Sequence, residues 1–297
     1  MKNIVSLDPN SISTIELHQI LLTAVAPRPI ALASTISADG KVNLSPFSFF
    51  NVFSANPPIL IFSPARRVRD NTVKHTLENV KITKEVVINV VNFPIVEQMS
   101  LSSTEYDRET NEFKKAGLTE VPSEKVRSPR VSESPVSFEC VVDDVIELGK
   151  QGGAGNLVIC KVIFIHINRA YLDEKGKLDT LKLQSVARLG GSWYSKVTNE
   201  SLFEIPKPVS SNGIGVDQLP LHIFKTDILS GNNLGRLGNA ERIPSEKELS
   251  NHRKSAEIHI IIEIKDAQER IEMLHTLVRE YLNKDNFKLA INTLFAI

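Results

Sequence analysis

Two adjoining stretches carry most of the side chains able to hold a ligand. In the first, Asn43, Ser45, Ser48 and Asn51 are interleaved with Phe47, Phe49 and Phe50. Short amides and hydroxyls can meet the polar edge of a flat heterocycle while aromatic rings cover its face. A barrel strand with a Ser/Asn solvent face produces the same alternation, and composition does not separate the two. The second stretch, SPARRVRDNTVKHTLEN, begins at Ser63, clusters Arg66, Arg67 and Arg69, and places Lys74, Thr76 and Asn79 where a helix starts. Basic side chains, a hydroxyl and free helix-start N–H groups make a socket for a monophosphate. A solvated basic loop is the alternative. Because the stretches adjoin, one ligand can span both.

Side-chain catalysis finds little support elsewhere. The chain has no GxSxG elbow, HExxH, Walker loop or HxH metal pattern, and its seven histidines are scattered. His166 sits in an apolar strand pattern and reads as a core or rim residue. Cys140 and Cys160 lie in similar runs, without CxxC spacing or a nearby histidine, as reduced structural thiols do. The loop GKQGGAGN neither follows GxGxxG spacing nor opens a helix. Any chemistry therefore falls to a cofactor. With 35 basic and 35 acidic side chains the net charge is zero, which gives no field toward nucleic acid or anionic membrane. No secretory signal pattern and no apolar run near the roughly 18 residues of a spanning helix is visible, so the expected address is the cytoplasm.

The elements around these residues are mostly short strands. A helix is expected over 13–24, capped by Ser13 or Thr14 and stopped by APRPI. Strands follow at 30–36, 42–45, 47–53 and 59–63, then a helix at 71–80 and a strand at 86–91. Helical patterns come next at 95–102 and 108–115, and long strands at 136–148 and 157–168. At 297 residues with 41% hydrophobic content, this is a mainly β globular chain with flanking helices. Beyond about Ser201 a Pro-, Gly- and Asn-rich texture reads as a wrapping tail. Alternation of Ile258, Ile260, Ile262 and Ile264 predicts a strand, and Asp266 opens a helix carrying Ile271, Leu274, Leu277, Val278 and Tyr281 on one side. The expected division is residues 1–244 and a strand-helix extension, 245–297, of no assigned role.

Several ordered motifs resemble one family. PRPIALASTISADGKVNLSPFSFFNVFSANPPILIFS is similar to the opening of the flavin reductase-like, FMN-binding split-barrel proteins. KHTLEN is similar to their KDTxxN phosphate segment, and the stretch 97–140 to the branch containing nitrilotriacetate monooxygenase reductase components and flavoredoxins. ARLGGSWYSKV and GIGVDQLP match later landmarks, so the resemblance runs from about Leu17 to Pro244. It implies a Greek-key split β-barrel, a homodimer with FMN near the subunit interface, and no catalytic side chain or metal. Carried over by position, Ser34, Thr35, Asn43, Ser45, Ser48, Phe49 and Asn51 line the isoalloxazine and ribityl chain. Ser63, Arg67, Lys74 and Thr76 hold the phosphate, and Arg188 and Tyr194 lie beside the site or close it from a partner chain. One departure stands out: the family's acidic residue between Lys and Thr is His75 here.

The resemblance further implies hydride transfer from NAD(P)H to FMN, with reduced flavin or electrons passing to a partner monooxygenase or electron-transfer protein. A flavoredoxin-type carrier that oxidises no nicotinamide, or a flavin-binding protein without turnover, fits the same motifs.

Overall fold

The computed structural model describes residues 3–206 and 212–297. Its contacts separate two compact units, Met1–Phe203 and Glu204–Ile297. The sequence reading drew its line later, at 244/245.

The first unit is built on strands β1 (Ala31–Ile36), β2 (Val42–Phe47), β3 (Phe50–Ala55), β4 (Pro58–Phe62), β5 (Glu85–Val90), β8 (Val136–Glu147) and β9 (Asn156–Ile167). Two small ladders, β6 (Glu120–Val121) with β7 (Arg130–Val131) and β10 (Val186–Arg188) with β11 (Tyr194–Lys196), sit outside this sheet. Helices α1 (Thr14–Ala24), α2 (His75–Thr83), α3 (Val96–Leu101), α4 (Glu112–Ala116) and α5 (Thr180–Leu183) flank it.

All neighbours in the main sheet are antiparallel, in the order β2-β1-β5-β8-β9-β4-β3. The two edge strands, β2 and β3, are consecutive in sequence, with only Ser48 and Phe49 between them. Three Cα steps reach at most about 11 Å. The sheet must therefore curl until its edges meet at that corner, which makes a barrel joined at one point and split along the rest. Ser63 N–H donates to Phe49 O at 2.8 Å and fixes the corner. The strand expected at 47–53 is thus two strands, since its residues cross from one edge of the sheet to the other. Pro46, which has no N–H for a ladder, is tolerated because β2 is an edge.

Inside the barrel Phe47, Phe62, Ile88, Val142 and Val158 pack with the free thiols of Cys140 and Cys160, and Leu77 and Val80 of α2 close the end. On the other face of β1, β2 and β5, Leu32, Leu44 and Val91 pack under Met99 of α3 and Phe113 of α4. Residues 31–35 of β1 are consequently all buried.

The helix expected at 71–80 starts instead at His75. Asn71 has φ 58° and Lys74 is extended, so the chain must leave a left-handed turn before it can coil. The glycine-rich β8–β9 connection supports that arginine loop: Arg66 N–H donates to Ala154 O at 2.8 Å and Gly153 N–H to Arg66 O at 2.9 Å. A Cβ on Gly152 would stand 2.9 Å from Val68 O, so only glycine permits the approach.

Among its described residues the second unit is helical: α6 (Gly231–Gly238), α7 (Glu246–Arg253), α8 (Ala256–Ile262), α9 (Ala267–Asn283) and α10 (Phe287–Leu294). The strand expected at 258–264 is a correction. The segment is α8, with Ile258 and Ile261 buried one turn apart and Ile260 65% exposed. Period-2 isoleucines look like a strand, but no sheet edge stands beside them, and packing against α9 selects the helix. Asp266 does cap α9, accepting from Glu269 N–H at 2.7 Å. The described part of the expected tail belongs to this unit, since Leu219, Ile223, Leu229 and Leu237 share a core with Val278, Leu282 and Leu294. A deletion of 257–297 would uncover that core and is expected to aggregate in size-exclusion chromatography. A cut at 203/204 removes no residue of the barrel core and is expected to leave 1–203 soluble.

Candidate functional site

A recess opens where β2, the arginine loop, the start of α2 and the α3–α4 connection meet. Asn43 and Ser45 of β2 form one wall, with Arg67, Lys74 and His75 beside them. Ser102, Thr104, Glu105, Tyr106 and Glu112 complete it. Lys74 is the N-cap of α2 but makes no capping bond with its side chain. Its ammonium, 5.9 Å from the centre of the Phe47 ring, has one long hydrogen bond, 3.3 Å to Ser45 Oγ. Burial, and then the Arg67 guanidinium, hold its pKa below the usual lysine value. A three-donor cation so poorly engaged, next to helix-start N–H groups that have no intrahelical acceptor, is suited to receive an anion. Arg67 donates to Thr72 Oγ1 at 2.7 Å, Val73 O at 2.9 Å and Glu105 Oε1 at 2.8 Å. Arg66 is different: it braces the loop through Asn71 Oδ1 at 2.6 Å and Asn71 O at 2.7 Å.

Behind the recess lies a buried amide–hydroxyl network. Asn43 Nδ2 donates to Thr76 Oγ1 at 2.9 Å and Asn79 Nδ2 to Thr35 Oγ1 at 3.0 Å. Thr35 and Thr76 are wholly buried, so in this state the Thr76 hydroxyl positions Asn43. Ser34 points the other way, in the register row of Leu44, with its hydroxyl buried and unpartnered. Ser63 Oγ accepts from Asn156 N–H at 3.0 Å and ties β4 to β9. Ser48, Phe49 and Asn51 occupy the split corner. Phe49 is 38% exposed, with His18 of α1 edge-on to its ring, and Asn51 Oδ1 accepts from Val52 N–H at 2.8 Å.

Arg188 stacks on Tyr194 at 4.6 Å across the β10–β11 hairpin. Arg28 pins that hairpin to the barrel through paired backbone bonds with Arg188, 3.0 and 2.8 Å, and through a guanidinium that reaches Leu189 O at 3.0 Å.

Two residues of the recess escape sequence reasoning. Glu112 is buried, its Oε2 accepts Leu44 N–H at 3.1 Å, and burial raises its pKa. Glu105 bridges Arg67 and Arg69, whose hydrogen bonds lower its pKa from the usual glutamate value. Nothing local in the sequence ties either to the arginine loop or to β2. His75 is half-buried between Lys74 and the Arg108–Glu78 ion pair; burial first, and then Arg108, lower its pKa.

The model of the flavin reductase-like domain matches residues 24–182, which include the strands and loops around this recess. The chain belongs to the flavin reductase-like family. A relative from Halalkalibacterium halodurans, itself uncharacterized, is 40% identical over 207 residues, covering 69% of this chain and 97% of its own. Among solved structures, nitrilotriacetate monooxygenase component B from Bacillus cereus superposes with TM-score 0.63 at 28% identity, covering 68% of this chain and 98% of that one. A split-barrel flavin reductase-like protein from Shewanella frigidimarina gives TM-score 0.57 at 25% identity, covering 67% and 96%. The flavin reductase-like split barrel is thus the fold of the first unit. About a third of the chain lies outside each of these alignments.

Proposed function

We propose that the barrel unit binds FMN and works as a NAD(P)H:FMN oxidoreductase, supplying reduced flavin or electrons to a partner such as a monooxygenase. The observation that carries this reading is the convergence of Lys74, Arg67 and the α2 start with Asn43 and Ser45 in one recess of a flavin reductase-like barrel. Lys74 fits a phosphate on its own chemistry: a desolvated ammonium with one long bond gains most from a doubly charged acceptor.

In this reading Lys74, Arg67 and the backbone N–H groups of His75 and Thr76 hold the phosphate, with Thr76 and Thr35 fixing Asn43 behind it. Asn43, Ser45, Ser48 and Asn51 face the ribityl chain and the polar ring edge, and Phe49 covers the ring. Arg188 and Tyr194 close the site from the hairpin. Ser34 and Ser63 act through the barrel frame. When bound, flavin supplies the hydride-accepting centre for a reduced nicotinamide, so the protein has to orient, cover and exclude water rather than donate a proton.

The working form is taken as a cytoplasmic homodimer. Val52 and Phe53 on β3, each 63% exposed, and α1, which buries no residue, are apolar surface for a second copy to cover. Among the described residues no helix is long and apolar enough to cross a membrane. No part in flavin binding is assigned to the C-terminal unit.

Anaerobic mixing of the purified protein with FMN and NADH or NADPH tests the proposal. Bleaching of the flavin absorbance on the timescale of turnover is expected with one nicotinamide or both. Bleaching only by a reduced protein donor would replace the reductase with an electron carrier, and a protein that takes up no flavin would overturn both.

A further inference from the structure

Arg67 of the recess and Arg69 beside it are already occupied by a carboxylate from the chain itself. Glu105, on the connection between α3 and α4, places Oε1 2.8 Å from Arg67 Nε, while its Oε2 accepts from Arg69 NH2. It is the geometry in which a phosphate ester would be received: two oxygens of one anion spanning two guanidinium groups. Glu105 lines the same recess as Lys74, Asn43 and Ser45, so a phosphate reaching Lys74 enters within reach of Arg67 and meets that carboxylate there. The contact is built to exchange. The Glu105 side chain is 43% exposed and Arg69 69%, and among the described residues no backbone N–H is bound to the carboxylate. Glu112, the other carboxylate of the recess, contrasts with it: that group is buried and held by Leu44 N–H, so it stays in place.

We propose that Glu105 is an internal phosphate surrogate that sets the selectivity of the recess, yielding Arg67 and Arg69 to a doubly charged phosphate ester but not to a singly charged anion. This rests on the phosphate-socket reading above. The selectivity follows from charge. Replacing one carboxylate by another monoanion leaves the electrostatics of Arg67, Arg69 and Lys74 unchanged, whereas a phosphate dianion brings a second negative charge to three cations. The displaced Glu105 is re-solvated at little cost because it is already half in water. Riboflavin, with no phosphate, leaves the Glu105 contacts intact.

The test is binding by flavin fluorescence with wild type and Glu105→Gln, using FMN and riboflavin, together with a thermal-shift titration with inorganic phosphate. Glu105→Gln is expected to bind FMN about tenfold tighter, as the loss of one competing charge at close range implies, and riboflavin as wild type does. Inorganic phosphate is expected to raise the melting temperature of the variant more than that of the wild type. In the wild type, FMN is further expected to speed hydrogen exchange of the amides at 103–107. An unchanged or weaker FMN affinity in Glu105→Gln would show that the carboxylate merely positions the arginines, and would overturn the proposal. A wild type that binds neither flavin refutes the flavin site instead. In that case the phosphate titration alone decides, and no gain in the variant rejects the surrogate.

Discussion

Lys74→Met is expected to weaken FMN binding by about 1.5–3 kcal/mol, roughly ten- to a hundredfold, while riboflavin affinity stays within about twofold. The magnitude is that of a charge-assisted hydrogen bond lost from a partly desolvated site. The variant should not pay for this in stability. A lysine whose pKa is lowered by burial is one whose neutral form the fold prefers, so its charge at neutral pH opposes folding. Methionine keeps the apolar stem over Phe47 and removes the ammonium. Lys74→Met without ligand is therefore expected to melt at the wild-type temperature or higher, with the FMN-dependent rise in melting temperature largely gone. Equal FMN affinities for the two proteins would refute the socket. Thr76→Val is a poorer probe of the phosphate, because it strips Asn43 of its acceptor and disturbs the buried network first.

Acidification is expected to open the C-terminal unit. His222 Nε2 donates to Leu294 O at 3.1 Å, which leaves His222 Nδ1 to accept from His275 Nε2 at 2.9 Å and His275 Nδ1 to accept from Thr226 Oγ1 at 2.7 Å. With both rings neutral every position in this relay is satisfied; an added proton turns the Thr226 hydroxyl from donor to acceptor and places a charge on a buried ring pair. Burial, and then His222, bring the pKa of the fully buried His275 down to about 4, and burial also lowers that of His222. A folded pKa below the unfolded value near 6.5 contributes stability that is complete above about pH 6.5 and is lost as pH falls toward about 4. At about 1.4 kcal/mol per pKa unit, the loss by pH 5 is roughly 2 kcal/mol from His275 alone. Hydrogen exchange of α9 and α10 amides in the full chain at pH 7 and pH 5 measures it. Protection that does not change between these pH values would reject the relay as a source of acid sensitivity. Thr226→Val should lower protection at pH 7 by about 1–3 kcal/mol, since a buried ring nitrogen loses its donor.

Much of the barrel was legible because its signals are local. The helix at 13–24 is capped where Ser13 predicts, with Ser13 Oγ accepting Glu16 N–H at 3.2 Å. The strand runs fall near their expected positions, and Asp266 caps α9 as read. In each case neighbours within four residues carry the information: a cap, a turn, an alternation.

The errors share the opposite cause. Period-2 isoleucines at 258–264 became a helix because nothing among the described residues of that unit offers a sheet edge, and the strand at 47–53 was cut in two because barrel closure requires a corner there. The start of α2 was delayed by the left-handed turn at Asn71.

The candidate site divides in the same way. Asn43, Ser45, Arg67 and Lys74 could be singled out by residue type, and the structure gathers them at one recess. That Thr76 faces Asn43, that Ser34 lies on the opposite face, and that Glu105 from the α3–α4 connection and Glu112 from the start of α4 enter the recess were not open to the sequence. Which carboxylate faces which cation depends on register and on the closing of the barrel, and those are set by packing of the whole sheet rather than by any stretch of it.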